Sequence, residues 1–196
     1  MIRAEIKRKV KKIVKEYCPC ERTQQRRKNE TKAIKLIEKC LGRLTKEDIA
    51  TIMEYLDSDL WDGYEYRGRF GQLLTGQNWN LILQNDAHKL NSLFSEIYRE
   101  EKLEMVKSLI SDLLGIYHGF VSCLLYLKDS DKYNVFIPAT TKGVKEAFPH
   151  KAKVLRYTGP FQKNFLMFNE LTNKLKRECR LKPQEVDIVL TCLPSW

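Results

Sequence analysis

The reactive side chains of this 196-residue sequence are scattered rather than grouped. Its cysteines are Cys18, Cys20, Cys40, Cys123, Cys179 and Cys192, and only the first two are close, as C-x-C. Structural zinc sites use C-x2–4-C spacing with a second ligand pair, so this spacing argues against a metal centre. His88, His118 and His150 lie far apart without an H-x3-H partner. Neither a G-x-S-x-G nucleophile elbow nor a G-x-x-x-x-G-K-[ST] phosphate loop is present. Glu96, Glu100, Glu101 and Glu104 stand beside Arg99 and Lys102 at helical spacing, which surface pairing explains. No D…E-x-K nuclease arrangement survives placement on a strand. The expectation is a chain that is not an enzyme by itself and uses no cofactor and no metal. The chemistry left to it is binding chemistry: charge, aromatic faces and backbone N–H groups.

Charge is the strongest of these signals. The net charge is +10, and it is segregated. Residues 1–28 hold 11 Lys or Arg against 3 Asp or Glu, residues 29–131 hold 12 against 17, and residues 132–182 hold 12 against 3. Two basic blocks flanking an acidic middle suit a polyanionic partner. In the first block, Lys7, Arg8, Lys11, Lys12 and Lys15 are the candidate phosphate contacts. They share an amphipathic helix over 2–17 whose apolar face is Ile2, Ile6, Val10, Ile13, Val14 and Tyr17. A solvated face with no partner accounts for the same residues. A membrane-surface helix fits less well, because the apolar face lacks Trp, Phe and Leu. In the second block the candidates are Lys142, Lys145, Lys151, Lys153 and Arg156.

Aromatic and backbone candidates add to the charge. Residues 57–80 combine Gly63, Gly68, Gly71 and Gly76 with Trp61, Tyr64, Tyr66, Phe70 and Trp79, which reads as a long loop. Its aromatics are either packing elements or stacking platforms for bases. Trp61 and Tyr64 are the candidate base-stackers, and Trp79 is expected in the core. A second feature is the stretch Ile116-Tyr117-His118-Gly119, a tight connection after an apolar helix ending at Gly115. A helix start can bind phosphate through free backbone N–H groups. Gly119 would be the point of closest approach, with Tyr117 and His118 beside it and Thr140, Thr141 and Lys142 on the next turn. The competing reading is that Gly115 and Gly119 simply let two helices turn sharply.

This connection resembles a helix-hairpin-helix unit, although Tyr117 stands where the G-h-G core of that motif has a glycine. Helix-hairpin-helix DNA glycosylases follow the hairpin with a catalytic aspartate. The corresponding stretch here, NVFIPATTKGV, has no carboxylate, and the hairpin has no lysine nucleophile. The resemblance implies binding without base excision, with a glycosylase-like repair enzyme as the runner-up. A longer pattern, GFVSCLLYLKDSDKYNVFIPATTKGVKEAF followed by KPQEVDIVLTCL, resembles the N-terminal recognition modules of McrB-type restriction ATPases and related defence nucleases. It covers roughly residues 80–193. That resemblance implies recognition of DNA, duplex above all, with an ATPase domain or nuclease subunit supplying catalysis. A third reading, an adaptor for an acidic protein partner, rests on charge alone.

The elements that must carry these residues are helical. Expected helices cover 31–41 up to Gly42, a helix capped by Thr45 with Asp48 and buried through Ile49, Ile52, Met53 and Leu56, and then 86–98, 100–115 and 119–127. Further helices are expected from Thr141 to Phe148, from Pro160 to about Arg180, and from Pro183. Glu21 to Asn29 reads as a polar linker, Tyr133 to Ile137 as an extended piece, and Lys151 to Tyr157 as strand or loop. The fold class expected is mainly α. It would be a single compact helical domain with a helix-hairpin-helix-like unit and at most a few short strands. Residues 1–28 form its basic N-terminal helix and linker, and residues 29–196 its nucleic-acid-binding domain. No apolar run is long enough to span a membrane, and no signal peptide is evident, so a cytoplasmic location is expected with reduced cysteines.

Overall fold

The computed structural model describes residues 2–19, 21–56, 77–99 and 112–196, with the side chains of 21–23 and 77–80 excepted. Trp61, Tyr64, the side chain of Trp79 and residues 100–111 of the helix expected over 100–115 lie outside the described residues, and residues 112–115 form turns and a bend instead of helix. The chain is mainly helical, and no strand occurs among the described residues. Its helices are α1 (Ala4–Tyr17), α2 (Glu21–Cys40), α3 (Lys46–Leu56), α4 (Gln77–Gln84), α5 (Ala87–Arg99), α6 (His118–Lys128), α7 (Pro138–Ala147), α8 (Phe161–Cys179) and α9 (Pro183–Cys192), closed by a 3-10 turn, Leu193–Ser195. No helix among the described residues is long and apolar enough to cross a membrane.

Local chemistry sets most of the boundaries. At the start of α3, the Thr45 N–H donates to Asp48 Oδ2 at 2.9 Å and the Asp48 N–H donates to Thr45 Oγ1 at 3.1 Å. These reciprocal bonds satisfy helix-start donors that would otherwise lack partners. Pro138 and Pro183 occupy first-turn positions of α7 and α9, where a missing N–H costs nothing. Gly42, at φ +84°, follows the end of α2. Arg180 ends α8 in the left-handed region at φ 55°, its N–H shared between the Arg177 and Lys176 carbonyls.

Three expected boundaries are corrected. The linker over 21–29 is the first half of α2, so the division expected at residue 28 falls inside a helix. This segment shows no apolar stripe because the face it buries is polar: Arg26, Asn29 and Glu30. Its Arg, Gln and Lys are nevertheless good helix formers. Helix α4 begins at Gln77, within the segment read as loop, and buries Ile82. Helix α7 begins at Pro138, three residues before the expected start. Residues 133–137 are extended but unpaired, and 151–157 are turns, so neither supplies a strand.

The core forms around α9, whose Glu185, Val186, Asp187, Ile188, Val189 and Leu190 are all buried. Helices α1, α7 and α8 pack on it, while α6 packs against α5 and α2. At the α7–α9 crossing, Gly143 lets the backbones meet: a Cβ there would lie 2.0 Å from the Leu190 carbonyl oxygen. Between α6 and α8, Phe136, Phe161, Phe165 and Phe168 interlock at ring separations of 4.9 to 6.1 Å. One charged network lies inside. Arg26 of α2 is bonded to Glu30 and, through both terminal nitrogens, to Asp187 of α9; Tyr126 of α6 donates to Glu30 Oε2 at 3.3 Å. Cys18, Cys40, Cys123, Cys179 and Cys192 are free thiols, and no three His, Cys, Asp or Glu side chains gather as metal ligands among the described residues.

Candidate nucleic-acid interface

Helix α1 buries Ile6, Val10 and Ile13 against α8 and α9 and turns Arg3, Arg8, Lys11, Lys12 and Lys15 outward. Its docking is fixed by one carboxylate. Glu178, near the end of α8, accepts the Ile2 N–H at 2.9 Å on Oε2 and lies 3.3 Å from Lys7 Nζ and 3.9 Å from Lys174 Nζ. The Ile2 N–H first, and then Lys7, hold its carboxyl below the ordinary range. Lys7 is therefore half-buried and tied to Glu178, whereas the other candidates on α1 stay exposed.

The same contact sets the basic end of α8 beside α1. Arg177, Arg180 and Lys182 are exposed there. The Cys179 thiol there is pushed up by burial, against the opposing pull of Lys7 and Lys11. Lys176 turns away: its Nζ donates to the Ser130 carbonyl at 3.1 Å and the Asp131 carbonyl at 2.6 Å. Arg177, Arg180 and Lys182 were not singled out by the sequence. For Arg177 a signal was available, since cations in the last turn of a helix complement its dipole, but that rule alone gives it no partner.

The second group lies on the turns that lead into α8 and on α7. Lys151, Lys153 and Arg156 are exposed on the turns before it, Lys142 is exposed on α7, and Lys145 is half-buried. The Arg156 N–H donates to Asn164 Oδ1 at 2.7 Å, and its guanidinium donates to the Lys153 carbonyl at 3.0 Å. His118 joins this segment to the start of α6. Its Nδ1 is 2.9 Å from the Tyr157 carbonyl, and its ring packs on Phe161 at 5.0 Å and on Tyr157 at 5.7 Å. Tyr117, immediately before, is exposed.

Three candidates do not offer the groups expected of them. Gly119 is buried, and a Cβ on it would lie 3.1 Å from Ile137 Cγ2 and 3.3 Å from the Tyr157 hydroxyl. The Tyr157 hydroxyl packs against it, and burial pushes that phenol up. Gly119 is thus a packing glycine rather than an open approach for phosphate. Thr140 and Thr141 are buried as well: Thr140 Oγ1 donates to the Val135 carbonyl at 2.8 Å and accepts the Ile137 N–H at 3.1 Å, and Thr141 Oγ1 donates to the Ile137 carbonyl at 2.8 Å. Both hydroxyls are spent on the start of α7. The arrangement left is two sets of exposed cations at opposite ends of α8, with Tyr117 beside one. From Phe161 to Glu178 the helix rise spans about 25 Å. No protein family, no curated protein and no solved structure matches this chain.

Proposed function

We propose that this chain is a DNA-binding module that holds the sugar–phosphate backbone through its two basic surfaces. One observation carries the reading: Glu178 binds Ile2 and Lys7, so basic blocks at opposite ends of the sequence come together. Arg8, Lys11, Lys12 and Lys15 of α1 and Arg177 and Arg180 of α8 then face solvent with no ion pair to a described residue. Holding like charges exposed and adjacent is unfavourable without an anion, and a polyanion repays it by releasing counterions. The second surface, about 25 Å along α8, is about seven base-pair steps away on a B-form duplex. Any cleavage falls to other domains or subunits, an ATPase or nuclease in the restriction-module reading that the sequence resemblance supports.

The test is binding to a duplex oligonucleotide across a salt series. The log–log slope is expected to flatten by about 0.9 for each phosphate contact removed. Lys11, Lys12 and Lys15 changed together to Gln, and Arg177 with Arg180 changed to Gln, should each flatten it. Absence of DNA binding by the unmodified chain, or slopes unmoved by both variants, refutes the reading.

A further inference from the structure

The exposed apolar side chains are not spread evenly. Leu114, Tyr117, Val154, Leu166 and Trp196 are the large ones left exposed among the described residues. The first three sit on the two segments that His118 joins to Tyr157, the same segments that carry Lys151, Lys153 and Arg156. An isolated exposed aromatic is ordinary. An exposed ring on a segment hydrogen-bonded to one that carries three exposed cations suits the face and the charge of a nucleotide.

The stem under Tyr117 is rigid on both sides. Before it, Asn85 clamps the Leu114 backbone, accepting its N–H at 2.8 Å and donating to its carbonyl at 2.8 Å. Gly115 turns the chain at φ 72° and Ile116 is buried. After it, His118 is fixed by Tyr157 and Phe161, Gly119 is buried, and the Tyr117 carbonyl accepts the Val121 N–H at 3.2 Å. The ring itself stays 56% exposed. A rigid backbone presenting a free ring has little ordering cost left to meet on binding. The neighbouring cations are oriented too, Arg156 by its bond to the Lys153 carbonyl.

We infer that Tyr117 is a stacking platform for an unpaired nucleobase, with Lys151, Lys153 and Arg156 holding the adjoining phosphates. This rests on the DNA-binding reading and sharpens it: the end of α8 near Phe161, besides holding duplex backbone, takes an unpaired base of a single strand, whereas the α1–α8 end binds backbone whether or not the bases are paired.

The test compares fluorescein-labelled oligo(dT) and a matched duplex by anisotropy, using the full chain, Tyr117→Ala, Tyr117→Phe and Arg156→Gln. Because Tyr117 is exposed, thermal melts of its variants should match the parent. Tyr117→Ala is expected to weaken oligo(dT) binding about 5- to 150-fold, the range of one base–aromatic stack, and to leave duplex binding within about twofold. Tyr117→Phe should retain single-strand affinity, because stacking needs the ring and not the hydroxyl. Arg156→Gln should flatten the salt slope for oligo(dT). Equal oligo(dT) affinity in the parent and Tyr117→Ala overturns the inference. So does a parent that binds duplex but not oligo(dT), which leaves DNA binding standing. A parent that binds neither removes both proposals.

Discussion

Arg26 and Asp187, 161 residues apart, form a two-pronged ion pair inside the protein, Nη1 to Oδ1 at 2.9 Å and Nη2 to Oδ2 at 2.7 Å. Each side chain is 4% exposed. The pair fastens α2 to the central helix α9, and Glu30, Tyr126 and the Ile188 N–H add further hydrogen bonds to it. Removing one member of a buried pair leaves the other charged and unmatched, at a cost of about 3–5 kcal/mol. Arg26→Met, which removes the guanidinium from both Glu30 and Asp187, is expected to lose that much in urea unfolding. Adding Asp187→Leu should return part of the loss. A loss below about 1 kcal/mol for Arg26→Met would show that the network contributes little.

The two buried glycines separate packing from phosphate binding. Gly143→Ala places a methyl against the Leu190 backbone, which cannot move without shifting α9. A cost of about 3 kcal/mol is expected, at the upper end for overpacking. Gly119→Val meets the Ile137 and Tyr157 side chains, which can yield, so about 1–3 kcal/mol is expected. DNA affinity per folded Gly119→Val molecule should equal that of the parent. A folded Gly119→Val that had lost affinity would restore the anion-site reading of the hairpin.

Tyr98 carries a buried hydroxyl with no hydrogen-bond partner among the described residues. Burial first, then Cys123 and Glu38, push its phenol far above the ordinary value. An unsatisfied buried hydroxyl is a standing cost. Tyr98→Phe is therefore expected to stabilise the fold by about 1 kcal/mol, raising Tm by about 2–4 °C. A lower Tm would reveal a hydrogen bond to that hydroxyl.

Glu178 gives the docking of α1 a pH dependence with a definite sign. Its carboxyl lies lower in the folded protein than its ordinary value of 4.5, held by the Ile2 N–H and by Lys7. A depressed carboxylate contributes stability that is complete above the unfolded-state pKa and is lost as pH falls through the folded one. The stability gap between the parent and Glu178→Gln should be constant near neutral pH. It should begin to close below about pH 4.5 and vanish at lower pH. Hydrogen exchange of the α1 amides, followed over the same range, should quicken in parallel in the parent alone. A gap that widened on acidification would contradict the assignment.

Much of the helical framework was legible because helix signals are local. A 3.6-residue apolar stripe identified Ile49, Ile52, Met53 and Leu56, and Leu90, Leu93, Phe94 and Ile97, all of which are buried. Thr45 with Asp48, Pro160, Pro183 and Gly42 marked ends that hydrogen bonds and φ angles bear out. The start of α2 was hidden for the same reason: a helix whose buried face is Arg26, Asn29 and Glu30 has no apolar period to detect.

The sequence by itself determined the helical class, the apolar face of each amphipathic helix and the two cationic blocks, since these follow from residue type and near-neighbour spacing. Only the tertiary structure decided which polar groups remain available to a partner. Gly119 and Thr140 look like free donors along the chain, yet Tyr157, Val135 and Ile137 claim them. Lys7 looks like its neighbours, yet Glu178 holds it. Arg26 reads as one more charge in a basic run, yet Asp187 takes it inside. Except for Thr140, whose partners lie at the start of its own helix, each of these partners comes from another element of the fold. A buried polar group must find a partner wherever packing brings one, and no periodicity in the chain encodes contacts between residues as distant as Arg26 and Asp187.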